Sequence, residues 1–285
     1  MNIKDNRKIS FILVGIVYLL AATLGIVVFL LLPFDAWISL LIADVAATVL
    51  TFVFSLVFSN ASVYDPYWSV QPIVIVLAFA FTEQMTLPKI LLLCVIILWG
   101  VRLTANWAYT FHGLSHQDWR YTMLSEKTKS FYPIINFVGI HLVPTLVVYG
   151  VTLPAVFVIQ SDASGNVFSV LAFLLSLFAV CLQGISDIQM HAFRKSRVGG
   201  FIRTGLWRYS RHPNYLGEIL MWWGVALLSI SVLGFRWYLP IGAIANTMLF
   251  LLVSIPMADA RQSRKDGFPK YKAATRMLLP IKPFK

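Results

Sequence analysis

The segment at positions 203–218, RTGLWRYSRHPNYLGE, gathers side chains that together bind phosphate and amide groups. Forked guanidinium groups, which pair with phosphate oxygens, come from Arg203, Arg208 and Arg211. Pro213 suits the first position of a helix, where free N–H groups and the positive end of the helix dipole attract anions. Asn214 and Glu218 lie four residues apart and share one face of that helix. The segment therefore favours a phosphorylated, carboxamide-bearing ligand such as NADPH. A basic membrane-surface loop followed by a helix is the simpler alternative.

A second polar group precedes this segment. Asp187 and His191 are four residues apart, and Arg194 follows Asp187 by seven, so all three line one stripe of a helix. A carboxylate in or beside a membrane span is costly and is kept for pairing or for function. Two interpretations stay open: Asp187 and Arg194 form an ion pair that closes the helix end, or they contact the ligand.

Asp65 stands in an aromatic stretch, with Tyr64, Tyr67 and Trp68 around it. A carboxyl group that aromatic rings shield from water has a raised pKa, and it can polarise a carbonyl or deliver a proton. Asp65 is therefore a catalytic candidate, and Tyr64 and Tyr67 are candidates to assist it. The alternative is an Asp that only stabilises the start of the next helix.

Membrane helices must position these residues. The chain has 285 residues, of which 59% are hydrophobic and 12% charged, and its mean hydropathy of +0.77 is that of a membrane protein. Apolar runs of spanning length lie near 9–32, 36–58, 70–87, 89–108, 133–159, 167–189, 215–233 and 237–257. We therefore predict an all-α, polytopic membrane helix bundle of about eight transmembrane helices, forming one integral membrane domain over residues 1–285.

The basic residues predict the orientation. With the N-terminus in the cytosol, 21 of the 23 Lys and Arg residues fall in inside segments, and only Lys89 and Arg236 fall outside. The positive-inside rule then places both termini and the polar segments in the cytosol. Anionic inner-leaflet lipids and a phosphorylated cofactor account for the net charge of +11, so no nucleic acid is expected as a partner. His112 and His116 have the spacing of metal ligands, but further ligands do not accompany them, and we predict no metal site.

The C-terminal stretch adds a third polar group, comprising Asp259, Arg264, Lys265 and Tyr271. Taken alone, this stretch is typical of an amphipathic juxtamembrane helix that binds anionic lipid.

The order GLWRYSRHPNYLGE resembles the signature of the steroid 5α-reductase C-terminal superfamily. That group includes steroid 5α-reductases, sterol Δ14- and Δ7-reductases and a bacterial branch, which this chain resembles most. The resemblance covers roughly Asp65 to the C-terminus and is strongest from Gln183 onward. It implies a membrane enzyme that uses NADPH to reduce an activated C=C bond in a lipid or steroid-like substrate. It also implies a bacterial inner membrane, with the active site facing the cytosol.

The resemblance assigns roles to regions and residues. Residues 1–60 are expected to form N-terminal helices, 61–132 substrate-side helices with a cytosolic loop, and 183–285 the NADPH-binding part. Cofactor contacts are expected from Gln183, Asp187, Arg194, Trp207, Arg211, His212, Asn214, Tyr215, Glu218, Asp259, Arg264, Lys265 and Tyr271. Residues matching the bacterial branch, and expected to contact substrate or cofactor, are Trp68, Arg102 and Asn106.

Three positions depart from the superfamily's pattern. Phe268 stands where many members have Tyr, which removes one polar contact to the cofactor. Gln71 and Trp99 stand near the positions at which the steroid-acting members use Glu and Tyr, which argues against a steroid as substrate.

Two other functions are compatible with parts of the sequence. Isoprenylcysteine carboxyl methyltransferases, which use S-adenosylmethionine, share the R-H-P-x-Y core. They usually carry a Glu-Glu pair in the last cytosolic helix, whereas this chain reads Met257-Ala-Asp-Ala-Arg there. A non-catalytic lipid-binding membrane protein is the third possibility, and it leaves the three polar groups unexplained. The NADPH-dependent reductase is the leading hypothesis.

Overall fold

The computed structural model describes residues 3–196 and 199–279, and the secondary structure of these two ranges is helical. Their α-helices are α1 (Arg7–Leu31), α2 (Ala36–Phe58), α3 (Tyr67–Ala80), α4 (Leu87–Thr110), α5 (Trp119–Thr128), α6 (Tyr132–Ile135), α7 (Val143–Ile159), α8 (Val167–Lys195), α9 (Pro213–Leu233), α10 (Ile241–Leu249), α11 (Ile255–Gln262) and α12 (Phe268–Ala274). Two π-helical segments, Asn136–Leu142 and Phe250–Ser254, connect α6 to α7 and α10 to α11. The predicted all-α membrane fold is confirmed.

Seven helical stretches in the described residues are long and apolar enough to cross a membrane. They are Arg7–Leu31, Ala36–Phe58, Leu87–Thr110, Trp119–Ile159, Val167–Lys195, Pro213–Leu233 and Ile241–Gln262. The remaining predicted span, near 70–87, is the 14-residue helix α3, which ends at Ala80 before a polar turn. Fourteen residues rise about 21 Å, which is less than the ~30 Å of a bilayer's hydrocarbon core. The predicted orientation stays a prediction.

The described residues cluster into two compact units. Unit 1 comprises Met1–Ile75 with Gly100–Tyr149, and unit 2 comprises Val76–Trp99 with Gly150–Lys285. No linker or change of composition marks this division in the sequence.

In unit 1, the chain between α2 and α3 is irregular and buried. Ala61–Tyr64 forms a 3₁₀ turn, and Asn60 caps it by accepting a hydrogen bond from the backbone N–H of Ser62. The Asn60 side chain also donates to the carbonyl oxygens of Leu114 at 2.7 Å and His116 at 3.0 Å. Non-helical backbone at membrane depth is tolerated when protein surrounds it. These bonds hold the stretch that carries Tyr64 and Asp65.

In unit 2, α8 and α9 pack closely through small residues. A side chain at Gly217 would lie 2.5 Å from Cγ of Gln183, and one at Gly224 would lie 1.9 Å from Oγ of Ser176. The Ser176 hydroxyl donates to the carbonyl oxygen of Met221 at 3.0 Å. Such close approach is how small residues let membrane helices associate. The C-terminal end of α8 therefore lies beside the start of α9, and two of the predicted polar groups come together.

Candidate functional site

The helix predicted to begin at Pro213 begins there, as α9, with His212 as its N-cap. The His212 ring stacks on the Tyr215 ring, with centroids 5.3 Å apart and planes inclined by 3°. Tyr215 also contacts Phe250, at 4.9 Å between centroids. The first turn of α9 is thus held by aromatic packing on one side.

The loop before α9 is tied to α8. The indole N–H of Trp207 donates to the carbonyl oxygen of Ser186 at 3.2 Å, and the backbone N–H of Leu206 donates to Oε1 of Gln189 at 2.9 Å. Trp207 is 7% exposed and Gln183, one turn before Ser186, is 1% exposed. The predicted contacts Trp207 and Gln183 therefore lie inside the protein, where they position the loop and the helix pair.

The segment 263–279, which we call the tail, is held on the same loop together with Asp259 of α11. One carboxylate oxygen of Asp259 accepts from Nη2 of Arg211 at 3.1 Å, and the other lies 3.0 Å from Nε2 of His212. Nζ of Lys272 lies 3.4 Å from the carboxylate as well. Arg211 further donates to the carbonyl oxygen of Thr275 at 2.6 Å. Arg211, His212 and Asp259 are thus bonded to one another, in an arrangement we call the tail latch.

A second contact docks α12. The Tyr271 hydroxyl donates to the carbonyl oxygen of Trp207, and burial raises the pKa of Tyr271 to about 12. The Tyr271 ring packs on Phe201, which also packs edge-on against Phe268. Phe268 is 3% exposed, so the departure from Tyr at this position fills an apolar contact between tail and loop.

The positive charge of Lys265 contacts the turn at Gly199 and Gly200. Both glycines have left-handed backbone angles, with φ of 70° and 72°. Nζ of Lys265 donates to the carbonyl oxygen of Gly200 at 2.5 Å. The pKa of Lys265 is lowered, first by burial and then by the nearby charges of Arg261 and Arg194. The charges of Arg194 and Arg261 therefore act on Lys265, and a bound anion would offset their effect. We call Arg194, Arg261 and Lys265 the cation cluster.

Two of the predicted cofactor contacts on α9, Asn214 and Glu218, differ in the hydrogen-bonding capacity that they leave for a ligand. The side-chain oxygen of Asn214 is buried and accepts no hydrogen bond from any described residue. Glu218, which is 5% exposed, accepts one bond from the indole of Trp99 and one from that of Trp222, each at 2.9 Å. Asn214 therefore offers an open acceptor, while both Glu218 oxygens are engaged within unit 2. Of the other predicted cofactor contacts, Asp187 is partly buried and Arg264 is exposed.

Asp65 forms a separate polar site in unit 1. Its Oδ1 accepts a hydrogen bond of 2.6 Å from the Tyr121 hydroxyl. Burial raises the pKa of Asp65 to about 6, although the charge of Arg120 and the bond from Tyr121 oppose that rise. Arg120 is itself paired with Asp118 at 2.8 Å. The raised pKa expected from the sequence is therefore present.

The residues expected to assist Asp65 are bonded elsewhere. The Tyr64 hydroxyl lies 2.8 Å from Oγ1 of Thr145, and the Tyr67 hydroxyl donates to Asp44 at 2.8 Å. Both side chains are buried, Tyr64 at the end of the 3₁₀ turn and Tyr67 at the start of α3, and the hydroxyl that bonds to Asp65 comes from Tyr121. Trp68 packs partly buried against this interior. The catalytic roles predicted for Asp65, Tyr64 and Tyr67 stay predictions.

Arg102 and Asn106 lie partly buried on α4, one turn apart. Between them, Oγ1 of Thr104 lies 2.8 Å from Oγ of Ser69 on α3. Two turns of α4 are thereby held against the start of α3, which follows Asp65.

One carboxyl group was overlooked in the sequence. Asp44 lies midway along α2, 5% exposed, and accepts a bond of 2.5 Å from Nε2 of Gln71 besides the bond from Tyr67. An isolated Asp inside the apolar run 36–58 was the signal, since a charged group in a span is kept for pairing or function.

Comparison with known proteins identifies the family of the chain. Residues 51–275 match the family DUF1295, which is described as a protein family of unknown function. The chain belongs to this family. An uncharacterised protein of Schizosaccharomyces pombe is 26% identical to the chain, over 57% of the chain and 56% of the relative. The chain thus spans about half the length of this curated relative. No solved structure matches the chain.

Proposed function

We propose that this protein is an NADPH-dependent membrane reductase that acts on an activated C=C bond of a lipid. The observation that carries the proposal is that the three polar groups of the C-terminal region meet in unit 2. The loop before α9 is bonded to α8 through Trp207 and to the tail through Arg211 and Tyr271. Ser186 and Tyr271, which both bond to Trp207 in this loop, lie 85 positions apart in the sequence.

The cation cluster supports the phosphate end of this proposal. Arg194, Arg261 and Lys265 come from α8, α11 and the tail, and the charges of the two arginines act on Lys265. Guanidinium groups hold phosphate oxygens in pairs, and a phosphate dianion beside the cluster would offset the mutual repulsion of its charges. A 2′-phosphate adds charge that NADH lacks, so we expect NADPH to bind more tightly than NADH.

Asn214 supports the carboxamide end. Its buried oxygen has an unused acceptor position, and the amide N–H of a nicotinamide is a matching donor. The tail latch and Tyr271 hold the loop and the start of α9 in place, so their role in this proposal is to position the binding groups. Bound NADPH would supply a hydride to the electrophilic carbon of the substrate.

The reduction also needs a proton, and Asp65 is the candidate acid. A carboxyl group with a pKa near 6 is partly protonated near neutral pH and can donate. The hydrogen bond from Tyr121 stabilises the carboxylate that is left after donation. The membrane-spanning helices favour a membrane-dissolved lipid as the substrate.

Binding measurements on the detergent-purified protein test the proposal. We expect NADPH to quench tryptophan fluorescence at lower concentration than NADH. Arg194→Ala and Asn214→Ala are each expected to weaken NADPH binding about tenfold to a hundredfold, the range for a lost hydrogen bond to a charged or buried group. Arg236→Ala is the matched control, because Arg236 is exposed beyond the far end of α9.

Asp65→Asn is expected to leave NADPH binding unchanged and to abolish lipid-dependent NADPH oxidation. Equal binding of NADPH and NADH, with Arg194→Ala indistinguishable from Arg236→Ala, would contradict the proposal. Binding of S-adenosylmethionine in place of NADPH would favour the methyltransferase alternative.

A further inference from the structure

A pair of opposite charges lies next to the proposed acid in unit 1. The guanidinium group of Arg120 bonds to Asp118 twice, from Nε to Oδ1 at 2.8 Å and from Nη2 to Oδ2 at 3.3 Å. The central carbon of the same group lies over the Tyr121 ring, 5.5 Å from its centroid. The hydroxyl group of that ring donates to Asp65 at 2.6 Å. The guanidinium group therefore lies over the ring that bonds to Asp65, while its own hydrogen bonds go to Asp118.

Asp118 is held by the same turn that carries Asp65. The backbone N–H of Asp118 donates to Oγ of Ser62 at 2.8 Å, and the backbone N–H of Asp65 donates to the carbonyl oxygen of Ser62 at 3.2 Å. Asp118 is also the N-cap of α5, because its Oδ1 accepts from the backbone N–H of Arg120 at 2.8 Å. Short hydrogen bonds within unit 1 thus fix the position of both acids.

The two charges act on Asp65 in opposite directions. Burial raises the pKa of Asp65 to about 6, the positive charge of Arg120 and the bond from Tyr121 lower it, and the negative charge of Asp118 raises it. An arginine that paired directly with a carboxyl group would stabilise the carboxylate and lower its pKa. Because Arg120 pairs with Asp118, the protonated form of Asp65 is favoured.

We propose that Asp118 is a positioning residue of the Asp65 site. It binds the guanidinium group of Arg120, so that Asp65 stays partly protonated near neutral pH. Without the Asp118 carboxylate, the charge of Arg120 would act on Asp65 without opposition, and Asp65 would give up its proton at lower pH. The use of that proton in the reduction rests on the proposed function. The proton state of Asp65 can be measured without cofactor or substrate.

The other ionisable groups that face Asp65 are tyrosines from three elements. Tyr18 belongs to α1 and donates to the carbonyl oxygen of Val63 at 3.0 Å. Tyr64 lies in the turn itself, and Tyr121 lies on α5. Tyrosine hydroxyl groups are uncharged near neutral pH. Replacement of Asp118 or Arg120 therefore changes the charge around Asp65, whereas the tyrosines keep theirs.

Asp118→Asn removes one charge and keeps the local structure. Asn and Asp are equally good N-caps, and the amide oxygen of Asn can still accept from the backbone N–H of Arg120. Arg120→Gln removes the opposite charge. Glu126→Gln is the matched control, because Glu126 is an exposed acid on the same helix α5.

Infrared difference spectroscopy of the detergent-purified protein, titrated with acid, is the experiment. The carboxyl stretching band that Asp65→Asn removes belongs to protonated Asp65, and in the wild type it should lose half its intensity near pH 6. In Asp118→Asn we expect this midpoint to fall by about half a unit to one unit, the effect of one charge a few ångströms away in partly solvated surroundings. In Arg120→Gln it should rise by a similar amount, and in Glu126→Gln it should stay at the wild-type value.

A double variant tests whether Asp118 acts through Arg120. When Arg120→Gln is already present, Asp118→Asn has no guanidinium group to release, and its effect on the midpoint should shrink. An effect of the same size in both backgrounds would refute the positioning role.

The positioning role is also refuted when the midpoint of Asp118→Asn equals that of Glu126→Gln or lies above the wild-type value. Should Asp118→Asn fail to fold, Arg120→Gln decides, because an unchanged or lower midpoint there contradicts the role. Shifted midpoints together with absent NADPH binding would leave the role of Asp118 standing and remove the reductase. Lipid-dependent NADPH oxidation whose pH dependence is the same in Asp118→Asn and the wild type, despite a shifted midpoint, would separate Asp65 from the reaction.

Discussion

Replacing Asp259 by Asn is expected to release the C-terminal tail from the loop before α9. The Asp259 and Arg211 side chains are 8% and 9% exposed, so Arg211 would keep a buried charge without its counter-ion. Breaking a buried ion pair from one side costs about 3–5 kcal/mol. Arg211 keeps its bonds to the carbonyl oxygens of Thr275 and Lys272, so we expect the lower end, about 3 kcal/mol. The contact from Lys272, which is 49% exposed, adds little.

At about 1.4 kcal/mol per factor of ten, this loss raises the population of undocked tail about a hundredfold. Limited trypsin digestion measures that population, because cleavage of a transiently opened segment follows its equilibrium population when opening is fast. Lys270 and Lys272 on α12 are the cleavage sites, and mass spectrometry identifies the fragments. Asp266→Asn removes an exposed carboxylate from the same tail and serves as the control. Equal cleavage of the two variants would refute the assignment of the tail latch.

Two further predictions follow from contacts in the two units. The folded-state pKa of Asp65, about 6, lies above the ordinary Asp value of 3.8, so the folded protein binds more protons between these values. The stability that Asp65 contributes is therefore full below pH 3.8 and is lost as the pH rises through 6. Melting temperatures between these pH values should show this dependence in the wild type and not in Asp65→Asn. Gly242→Ala would place a methyl group 2.2 Å from the backbone of Gly150, and overpacking of this kind costs about 1–3 kcal/mol. Its melting temperature should fall, whereas that of Gly15→Ala, where the space is open, should not.

The sequence predicted the membrane fold because long apolar runs and their polar ends are local signals. Pro213 marked the start of α9 for the same reason, since its fixed backbone angle and missing N–H act at that one position. The length of α3 was overestimated, because the apolar run near 70–87 does not reveal that the chain leaves the helix after Ala80.

The partners within the sites were harder to predict, because they come from positions far apart in the chain. Tyr121 reaches Asp65 across 56 positions, and Asp44 meets Tyr67 across 23. Neither pairing has a periodicity or a motif that a single sequence displays. Resemblance to a superfamily supplied candidates such as Arg211 and Asp259, yet only the structure shows that these two bind each other.

The buried acids Asp259 in unit 2 and Asp44 in unit 1 have different hydrogen-bond partners, which are charged at Asp259 and neutral at Asp44. This difference in partners gives the two acids different roles. Asp259 bonds to Arg211 and His212 and lies beside Lys272, and although burial opposes the change, these bonds and charges hold the pKa of its carboxyl group well below its usual value. Among the described residues, Asp44 receives side-chain hydrogen bonds from the neutral groups of Tyr67 and Gln71, and these leave a carboxylate charge uncompensated inside a span. Replacement by Asn should therefore act on different quantities. At Asp259 it should change the docking of the tail, and at Asp44, where an amide oxygen can still accept the bond from Tyr67, it should leave the melting temperature nearly unchanged. A variant of Asp44 that mainly destabilised the protein would make that carboxyl group a structural element of unit 1.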